Sequence, residues 1–429
     1  MRVLLVGSGG REHAIADALR SGGSVAEMFV APGNPGMASI ADPVPIGPSS
    51  VIELADFAER VNVDLTVVGP ELPLTLGIVD EFSKRHLPIF GPTRLATEIE
   101  ASKVFSKELC RRLDIPTAKA SVCSTRAEAE RALSELGFPA VVKADGLAAG
   151  KGVMVVASAD EARVAFDLFF DDKVFGSAGD KVLVEEYLEG EEVSFLALCD
   201  GKTALALPTA KDYKKVFDGD RGPNTGGMGA HSPAGVLASD QATAVLKDII
   251  HPVLSLLSEE GRAFCGLLYA GLMRTPDGTI KVLEFNARFG DPETEAILPR
   301  LDSDIAPVLA ACANGSLAGQ ELSWKAEACV AVVLASAGYP GSYQTGFPIT
   351  GLEDAARVPG VTVFHAGTAM KDGRLVTAGG RVLVVAGRGA NLSIAVERAY
   401  AAADAVQFEG KSCRRDIGSR FLTHMNNAG

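Results

Sequence analysis

A chain of 429 residues exceeds what one core organises, so about three or four domains of ~100–200 residues each are expected. With 47% hydrophobic and 22% charged residues, the composition is globular rather than disordered. A net charge of -13, with no long Lys/Arg run, argues against nucleic acid as a partner. The seven cysteines are scattered with no C-x-x-C pair, which reads as reduced thiols in a cytoplasmic protein.

The chain opens directly into the apolar run Val3–Val6, with no signal-peptide h-region. No uncharged apolar stretch approaches the ~20 residues of a membrane span. No membrane contact is expected, and a monomer is slightly favoured. The short basic clusters, Lys211 with Lys214 and Lys215, and Arg414 with Arg415, read as solvated surface.

Residues 1–120 alternate strand and helix: Val3–Val6, helix 11–20, strand 28–30, helix 51–60, strand 64–68, helix 78–85 and strand 88–90. This pattern predicts a doubly wound parallel α/β sheet. A break at Ile115-Pro116 precedes a smaller α+β unit over 121–189. It holds helix 127–136, strands 140–143, 153–156 and 181–185, and helix 160–170. The unit 190–323 carries strands at 192–199, 267–273 and 279–285 and a long helix over 241–257; 324–429 reads as a mixed α+β unit ending in helix 392–403.

The loop Gly7-Ser8-Gly9-Gly10-Arg11-Glu12-His13 lies where a dinucleotide-binding turn would lie. Glu12 occupies the place of the third glycine, and no acidic residue closes the second strand, so an NAD-dependent dehydrogenase is disfavoured. A tight βα turn and a phosphate-binding turn remain equal readings. Val141-Val142-Lys143-Ala144-Asp145-Gly146-Leu147-Ala148-Ala149-Gly150-Lys151-Gly152-Val153 is more specific. A strand delivers one lysine, and small residues around a second can fold over polyphosphate. It is not a Walker A loop, because Asp145 stands where the first glycine belongs. Acidic residues 185, 186, 189, 191 and 192 suit a nucleotide pocket or a solvated connector. On the strand 281–286, Glu284 and Asn286 are two apart and share a face, as two oxygen donors for Mg²⁺ would. Val282 is expected on that same face, and Arg288 continues it toward a transferring phosphoryl group.

In this order and spacing, these elements resemble the ATP-grasp superfamily. Gly9-Gly10-Arg11-Glu12-His13, Ala31-Pro32-Gly33-Asn34, the 143–152 string, Gly222-Pro223-Asn224-Thr225-Gly226-Gly227-Met228-Gly229-Ala230 and Glu284-Phe285-Asn286-Ala287-Arg288-Phe289-Gly290-Asp291-Pro292-Glu293 are similar to the glycinamide ribonucleotide synthetase family. So are Gly338-Tyr339-Pro340-Gly341 and Phe364-His365-Ala366-Gly367-Thr368. The likeness runs over essentially the whole chain. It implies an N-terminal Rossmann-like substrate domain (1–120), an ATP lid (121–189), a central catalytic domain (190–323) and a C-terminal domain (324–429).

The implied reaction joins glycine to 5-phosphoribosylamine with cleavage of ATP, through glycyl phosphate, with Mg²⁺ or Mn²⁺. Carried over residue by residue, Lys103 and Lys143 become phosphate lysines. Gly146, Gly150, Lys151 and Gly152 belong to the loop, with Lys151 and Arg288 in catalytic roles. Glu185 is the adenine-side carboxylate, Glu186 and Leu188 act through backbone groups, and Glu192 takes the ribose. Glu284 and Asn286 hold the metal. Asp212, Asn224, Thr225, Gly226, Gly227, Met228 and Arg288 lie near glycine and the ribosylamine, as do Gly9, Asn34 and Asp291.

Many members of the superfamily carry another acidic metal ligand on the preceding strand. Here that strand reads Leu267-Leu268-Tyr269-Ala270-Gly271-Leu272-Met273, so fewer protein ligands are expected. A biotin-dependent carboxylase or a D-alanine ligase would share the nucleotide elements and lack the 222–230 string. A binding module that has lost its chemistry is the alternative outside enzymes, opposed by Lys143, Glu284, Asn286 and Arg288. As it stands, the chain is expected to be monofunctional.

Overall fold

A computed structural model describes residues 1–146 and 152–419. The chain begins with β1 (Arg2–Gly7), α1 (Gly10–Gly22), β2 (Glu27–Pro32), β3 (Asp42–Pro43), α2 (Val51–Arg60), β4 (Leu65–Val68), α3 (Glu71–Thr75), α4 (Ile78–Lys84) and β5 (Ile89–Phe90). The five strands form one parallel sheet in the order β3-β2-β1-β4-β5, the doubly wound arrangement expected. Val3, Leu4, Leu5 and Val6 are fully buried because both sheet faces are covered, which is why this run of β1 is continuously apolar rather than alternating.

Two short helices, α5 (Glu98–Ala101) and α6 (Lys103–Arg112), lead to a second sheet. It comprises β6 (Ala120–Cys123), β7 (Ala140–Ala144), β8 (Val153–Val156) and β9 (Val182–Glu186), antiparallel in the order β6-β9-β7-β8. Its core is closed by α7 (Arg126–Leu136) and α8 (Ala159–Phe166). Thr125 caps α7 through a capping box with Glu128. The predicted helix 160–170 changes pitch after Phe166 into a π-helical turn, Asp167–Asp171.

The central sheet has the order β11-β10-β16-β17, from β10 (Glu191–Asp200), β11 (Ala204–Ala206), β16 (Cys265–Arg274) and β17 (Ile280–Asn286). Between β11 and β16 the chain makes β12 (Lys211–Asp212), the hairpin β13 (Lys215–Phe217) and β14 (Arg221–Asn224), then β15 (Gly229–Ser232), α9 (Ser239–Val245) and α10 (His251–Glu259). The long helix expected over 241–257 is present as one continuous helical run, 239–259, with a π-helical turn at Leu246–Ile250 between its two α-helical stretches. Pro252 lacks the N–H that would continue the ladder there.

After β17 come α11 (Glu293–Ile297), α12 (Ala306–Ala313), β18 (Ala328–Ser336), α13 (Leu352–Ala356), β19 (Val361–His365), the hairpin β20 (Thr368–Lys371) and β21 (Arg374–Thr377), β22 (Arg381–Gly389), α14 (Leu392–Ala405) and β23 (Lys411–Ser412). The last sheet runs β12-β15-β18-β22-β19, with β23 beside β18. Strands β12 and β15, which precede β16 in sequence, thus complete the C-terminal sheet. The turn 224–228 is thereby suspended between two sheets.

The segments share their cores. Val3, Leu5 and Ile15 pack in one cluster with Leu196, Leu267, Ile297 and Leu309, so the N-terminal sheet backs directly onto the central one. Arg414, read as solvated from sequence, is fully buried instead. It forks onto Asp416 with Nε and Nη2 at 2.7 and 2.6 Å, and its guanidinium lies 5.1 Å from the Tyr213 ring centre. Among the described residues no helix is long and apolar enough to cross a membrane.

Candidate active site

The end of β17 is the centre of the site. Its pairing with β16 slips between Gly271↔Glu284 and Leu272↔Val282, leaving Leu283 as a bulge. Val282 and Phe285 therefore both enter the core with α10. The expectation that Val282 shares a face with Glu284 is corrected: the extra residue breaks the period-two alternation. Glu284 and Asn286 remain two apart beyond the bulge, both partly exposed.

Four cations converge on Glu284. Burial alone would raise its pKa, but Lys214, Lys143, Lys103 and Arg288 outweigh it and hold the carboxyl below its usual range. Lys214 Nζ lies 3.6 Å from Glu284 and 3.2 Å from Glu192, bridging the proposed metal and ribose carboxylates. The solvated-surface reading of Lys214 is thus corrected. Its ammonium is held well above its usual pKa, because Glu192 and Glu284 override desolvation.

Lys143, at the end of β7, reaches Glu185 at 2.8 Å, and Lys107 approaches the same carboxylate at 3.3 Å. Glu185 is 2% exposed and works between these two ammonium groups. Lys103 opens α6 and donates to Gly146 O at 3.2 Å, while Asp145 accepts from Val104 N–H and Ser102 Oγ at 2.8 and 3.0 Å. Burial lowers the Lys103 pKa. A side chain on Gly146 would collide with Ala178, so glycine is required for close approach there. Gly152 O accepts from Ala144 N–H at 2.8 Å; Gly150 and Lys151 lie outside the described residues. Glu186 Oε1 accepts from Lys119 N–H at 3.1 Å and Lys281 Nζ at 3.2 Å, and Leu188 packs with Ala118 and Met273.

Arg288 follows β17 and is partly buried. It donates to Asn286 Oδ1 at 3.2 Å and to Phe289 O at 3.1 Å, with Glu100 and Glu71 at 3.4 and 3.7 Å from Nε. Further along, Asp291 pairs with Arg381 at 2.8 Å, and Arg381 also donates to Gly226 O at 2.7 Å. Gly226 N–H donates to Tyr339 Oη at 3.0 Å, so the resembling strings 222–230, 284–293 and 338–341 meet in space. Thr225 N–H and Oγ1 bind Lys214 O at 2.8 and 2.9 Å, Asn224 reaches Val153 O at 3.4 Å, and Met228 is buried. The Oδ1 of Asp212 is shut from solvent without a hydrogen-bond partner. Burial and then Glu293 push its pKa well up. Beside it, Tyr269 Oη donates to Glu293 Oε1 at 2.6 Å and Ser194 Oγ does so at 3.0 Å.

In the glycine loop, Gly9 N–H is taken by Glu12 Oε2 at 2.6 Å, and Glu12 also pairs with Arg11 at 2.6 Å. The chain's own carboxylate thus caps α1. Asn34 is a staple: its Nδ2 donates to Ser8 O at 2.9 Å and to His365 O at 2.7 Å, while Oδ1 accepts from Gly36 N–H at 3.0 Å.

The oxygen donors Glu284 and Asn286 match the chemistry of a hard divalent cation. Among the described residues no cluster of three or more His, Cys, Asp or Glu forms a metal cage of its own. The pair would hold Mg²⁺ together with phosphate oxygens and water. Sequence reasoning passed over Lys107, Glu71, Glu100 and Arg381, and read Lys214 as surface. Lys107, Glu71, Glu100 and Arg381 each stand more than ten residues from the nearest of the resembling strings, so the sequence carried no local signal for them.

A Rossmann-like sheet, a small antiparallel sheet with a lysine-bearing loop, and a carboxylate–amide pair on the central sheet define an ATP-dependent ligase of the ATP-grasp class. Three family models cover most of the chain, described as "Phosphoribosylglycinamide synthetase, N domain" at 1–100, "ATP-grasp (A) domain" at 101–294 and "C domain" at 329–420. The phosphoribosylamine–glycine ligase of Pseudomonas aeruginosa is 48% identical over 424 residues, covering 98% of each chain. That of Agrobacterium fabrum is 47% identical over 418 residues, 97% of this chain and 98% of the relative. A solved phosphoribosylamine–glycine ligase from Thermotoga maritima superposes with TM-score 0.84 at 35% identity, covering 97% of this chain and all 100% of that one. A biotin carboxylase domain from Hydrogenobacter thermophilus, solved with MgADP and bicarbonate, shares the fold at TM-score 0.72 and 16% identity, covering 96% of this chain and 91% of that one. The chain belongs to the phosphoribosylglycinamide synthetase family.

Proposed function

We propose that the chain joins glycine to 5-phosphoribosylamine at the expense of ATP, giving glycinamide ribonucleotide, ADP and phosphate. The observation that carries the site assignment is the convergence of Lys103, Lys143, Lys214 and Arg288 on Glu284. Four positive groups around one metal-type carboxylate suit a triphosphate whose terminal group is about to move.

In the proposed sequence, a glycine carboxylate oxygen attacks the γ-phosphorus and ADP leaves, giving glycyl phosphate. The ribosylamine nitrogen then attacks the acyl carbon and the C–O bond to phosphate breaks. The nitrogen sheds one proton to the departing phosphate, which leaves as the monohydrogen dianion. Lys103 and Lys143 bind the phosphates, Glu185 holds Lys143 in place, and Glu192 binds the ribose. Arg288 stabilises negative charge on the transferring group. The turn Asn224–Met228, with Asp212, Asp291 and Gly9 alongside, orients the glycine and the amine. Glu284 and Asn286 would hold Mg²⁺ or Mn²⁺, which supplies charge neutralisation of the phosphate oxygens.

The test is ADP release with ATP and Mg²⁺, given glycine alone, phosphoribosylamine generated in situ alone, or both. Release that needs both, with glycinamide ribonucleotide as product, is expected. Release with neither, or only with another carboxylate or amine, would overturn the substrate assignment and leave the ligase class standing.

A further inference from the structure

We propose that Glu100 is a positioning residue for phosphoryl transfer, fixing the Arg288 guanidinium and the backbone that follows Asn286. The inference rests on the proposed role of Arg288. Glu100 sits on the four-residue helix α5, between the N-terminal sheet and the lid, and its side chain is 6% exposed. Its two oxygens do separate work. Oε2 accepts from Ala287 N–H at 2.8 Å, and Oε1 faces Arg288 Nε at 3.4 Å.

The guanidinium has three edges. Nη2 is on Asn286 Oδ1, Nη1 is on Phe289 O, and Nε remains for a carboxylate. Nε makes no hydrogen bond; the carboxylate nearest it is Glu100, an ion pair at 3.4 Å, with Glu71 farther off at 3.7 Å. Rotation of the arginine about its own stem is thereby restricted, and so is the peptide that sets Asn286. Such restriction is what phosphoryl transfer demands, since the reaction depends on placement more than on covalent help.

Burying a carboxylate costs several kcal/mol, and a site that needed only packing would be filled like neighbouring Ile99 and Ala96, which are apolar and buried. An anchor needing only the Ala287 N–H would be served equally by an amide. The charge is what the guanidinium uses. The same segment reaches the lid: Ser102, Lys103 and Val104 all bond to Asp145. One stretch of five residues therefore sets both the base of the lysine loop and the arginine across from it.

The test compares Glu100→Gln, Glu100→Asp, Arg288→Gln and the double variant Glu100→Gln/Arg288→Gln in the full chain. Glu100→Gln keeps an acceptor for Ala287 and removes the charge. It is expected to lower kcat about 10- to 100-fold with KM for ATP and glycine within about threefold and an unchanged thermal midpoint. Glu100→Asp, which keeps the charge on a shorter stem, should recover part of that loss. The double variant should be no slower than Arg288→Gln alone. A folded Glu100→Gln enzyme with kcat within twofold of the parent would overturn the inference. So would losses that simply multiply in the double variant, or an Asp variant no better than Gln. If Arg288→Gln itself retained full kcat, the role of Arg288 would fail instead, which separates the two ideas.

Discussion

Replacing Glu284 by Gln separates folding from chemistry at one atom. Glutamine has the same shape, so packing against Gly271 on β16 is retained. What is lost is a carboxylate about one-third exposed, whose ion pair with Lys214 spans 3.6 Å. Pairs of that exposure contribute roughly 0–1 kcal/mol, and Lys214 keeps Glu192 at 3.2 Å. Stability should therefore fall by about 1 kcal/mol at most. The barrier responds more strongly. Losing a charged oxygen where a metal and a phosphoryl group are held costs about 10²- to 10³-fold in kcat, or about 3–4 kcal/mol. Chemistry should fail while the fold persists. The measurement is initial ADP release as a function of Mg²⁺, with thermal unfolding followed by circular dichroism on the same sample. Normal kcat with an unchanged Mg²⁺ midpoint would refute the metal assignment, and a collapse of the unfolding midpoint would refute the stability arithmetic.

Lys143→Met keeps the stem and removes the ammonium 2.8 Å from Glu185, so affinity for ATP should fall about 10- to 100-fold by isothermal titration; unchanged affinity would remove Lys143 from the phosphate site. Gly227 has φ of 109°, and an added Cβ would strike Pro292 and lie 3.0 Å from Asp212 Oδ1. Gly227→Ala should raise KM for glycine more than KM for ATP, and equal effects would show that the turn does not contact the acceptor side. Tyr269→Phe breaks the hydroxyl bonds to Glu293 at 2.6 Å and Ser194 at 2.8 Å, costing about 1.5–3 kcal/mol. A urea unfolding midpoint that does not move would contradict that cost. Burial lowers the pKa of His13 to about 3 and of His365 to about 4, well below the ordinary value near 6.5. The unfolded chain takes those protons first, so their stabilising contribution is complete above pH 6.5 and is lost as pH falls toward 4 and then 3. His13→Gln, which can still accept the His365 N–H, should flatten that acid slope by about 1.4 kcal/mol per pH unit. Urea midpoints at pH 5 and 7 with the parent's slope would mean that His13 is not held neutral.

The strands legible in the sequence are those whose burial is uniform. Val3–Val6 could be read because both sheet faces are covered, and Glu284 with Asn286 because alternation survives beyond the bulge. The bulge itself could not be read, since it exists only in the register with Gly271 and Leu272. Strand β12 is two residues, Lys211–Asp212, too short to carry a period, so its membership of the C-terminal sheet has no local signal. Lys214 and Arg414 look solvated by charge pattern because much of what surrounds them comes from far along the chain: Glu192 and Glu284 for Lys214, and Asp220 and the Tyr213 ring, besides the neighbouring Asp416, for Arg414. A charge run reports composition, whereas burial depends on where opposite charges return in space.

Exposure sorts the carboxylates of the cleft by what they can do. Glu185 and Glu100 have side chains 2% and 6% exposed, and each grips a cation from behind: Lys143 with Lys107 in one case, Arg288 in the other. Neither carboxylate can meet a solvated ligand without displacing the cation in front of it. Glu192 and Glu284, at 44% and 34%, face open space and share the single ammonium of Lys214. They are the pair with oxygens to spare for a ribose or a metal. The buried pair fixes where positive charge stands, and the exposed pair supplies oxygens to what arrives. Glu185 would therefore act on a nucleotide through Lys143, and its low exposure weighs against direct contact with the base.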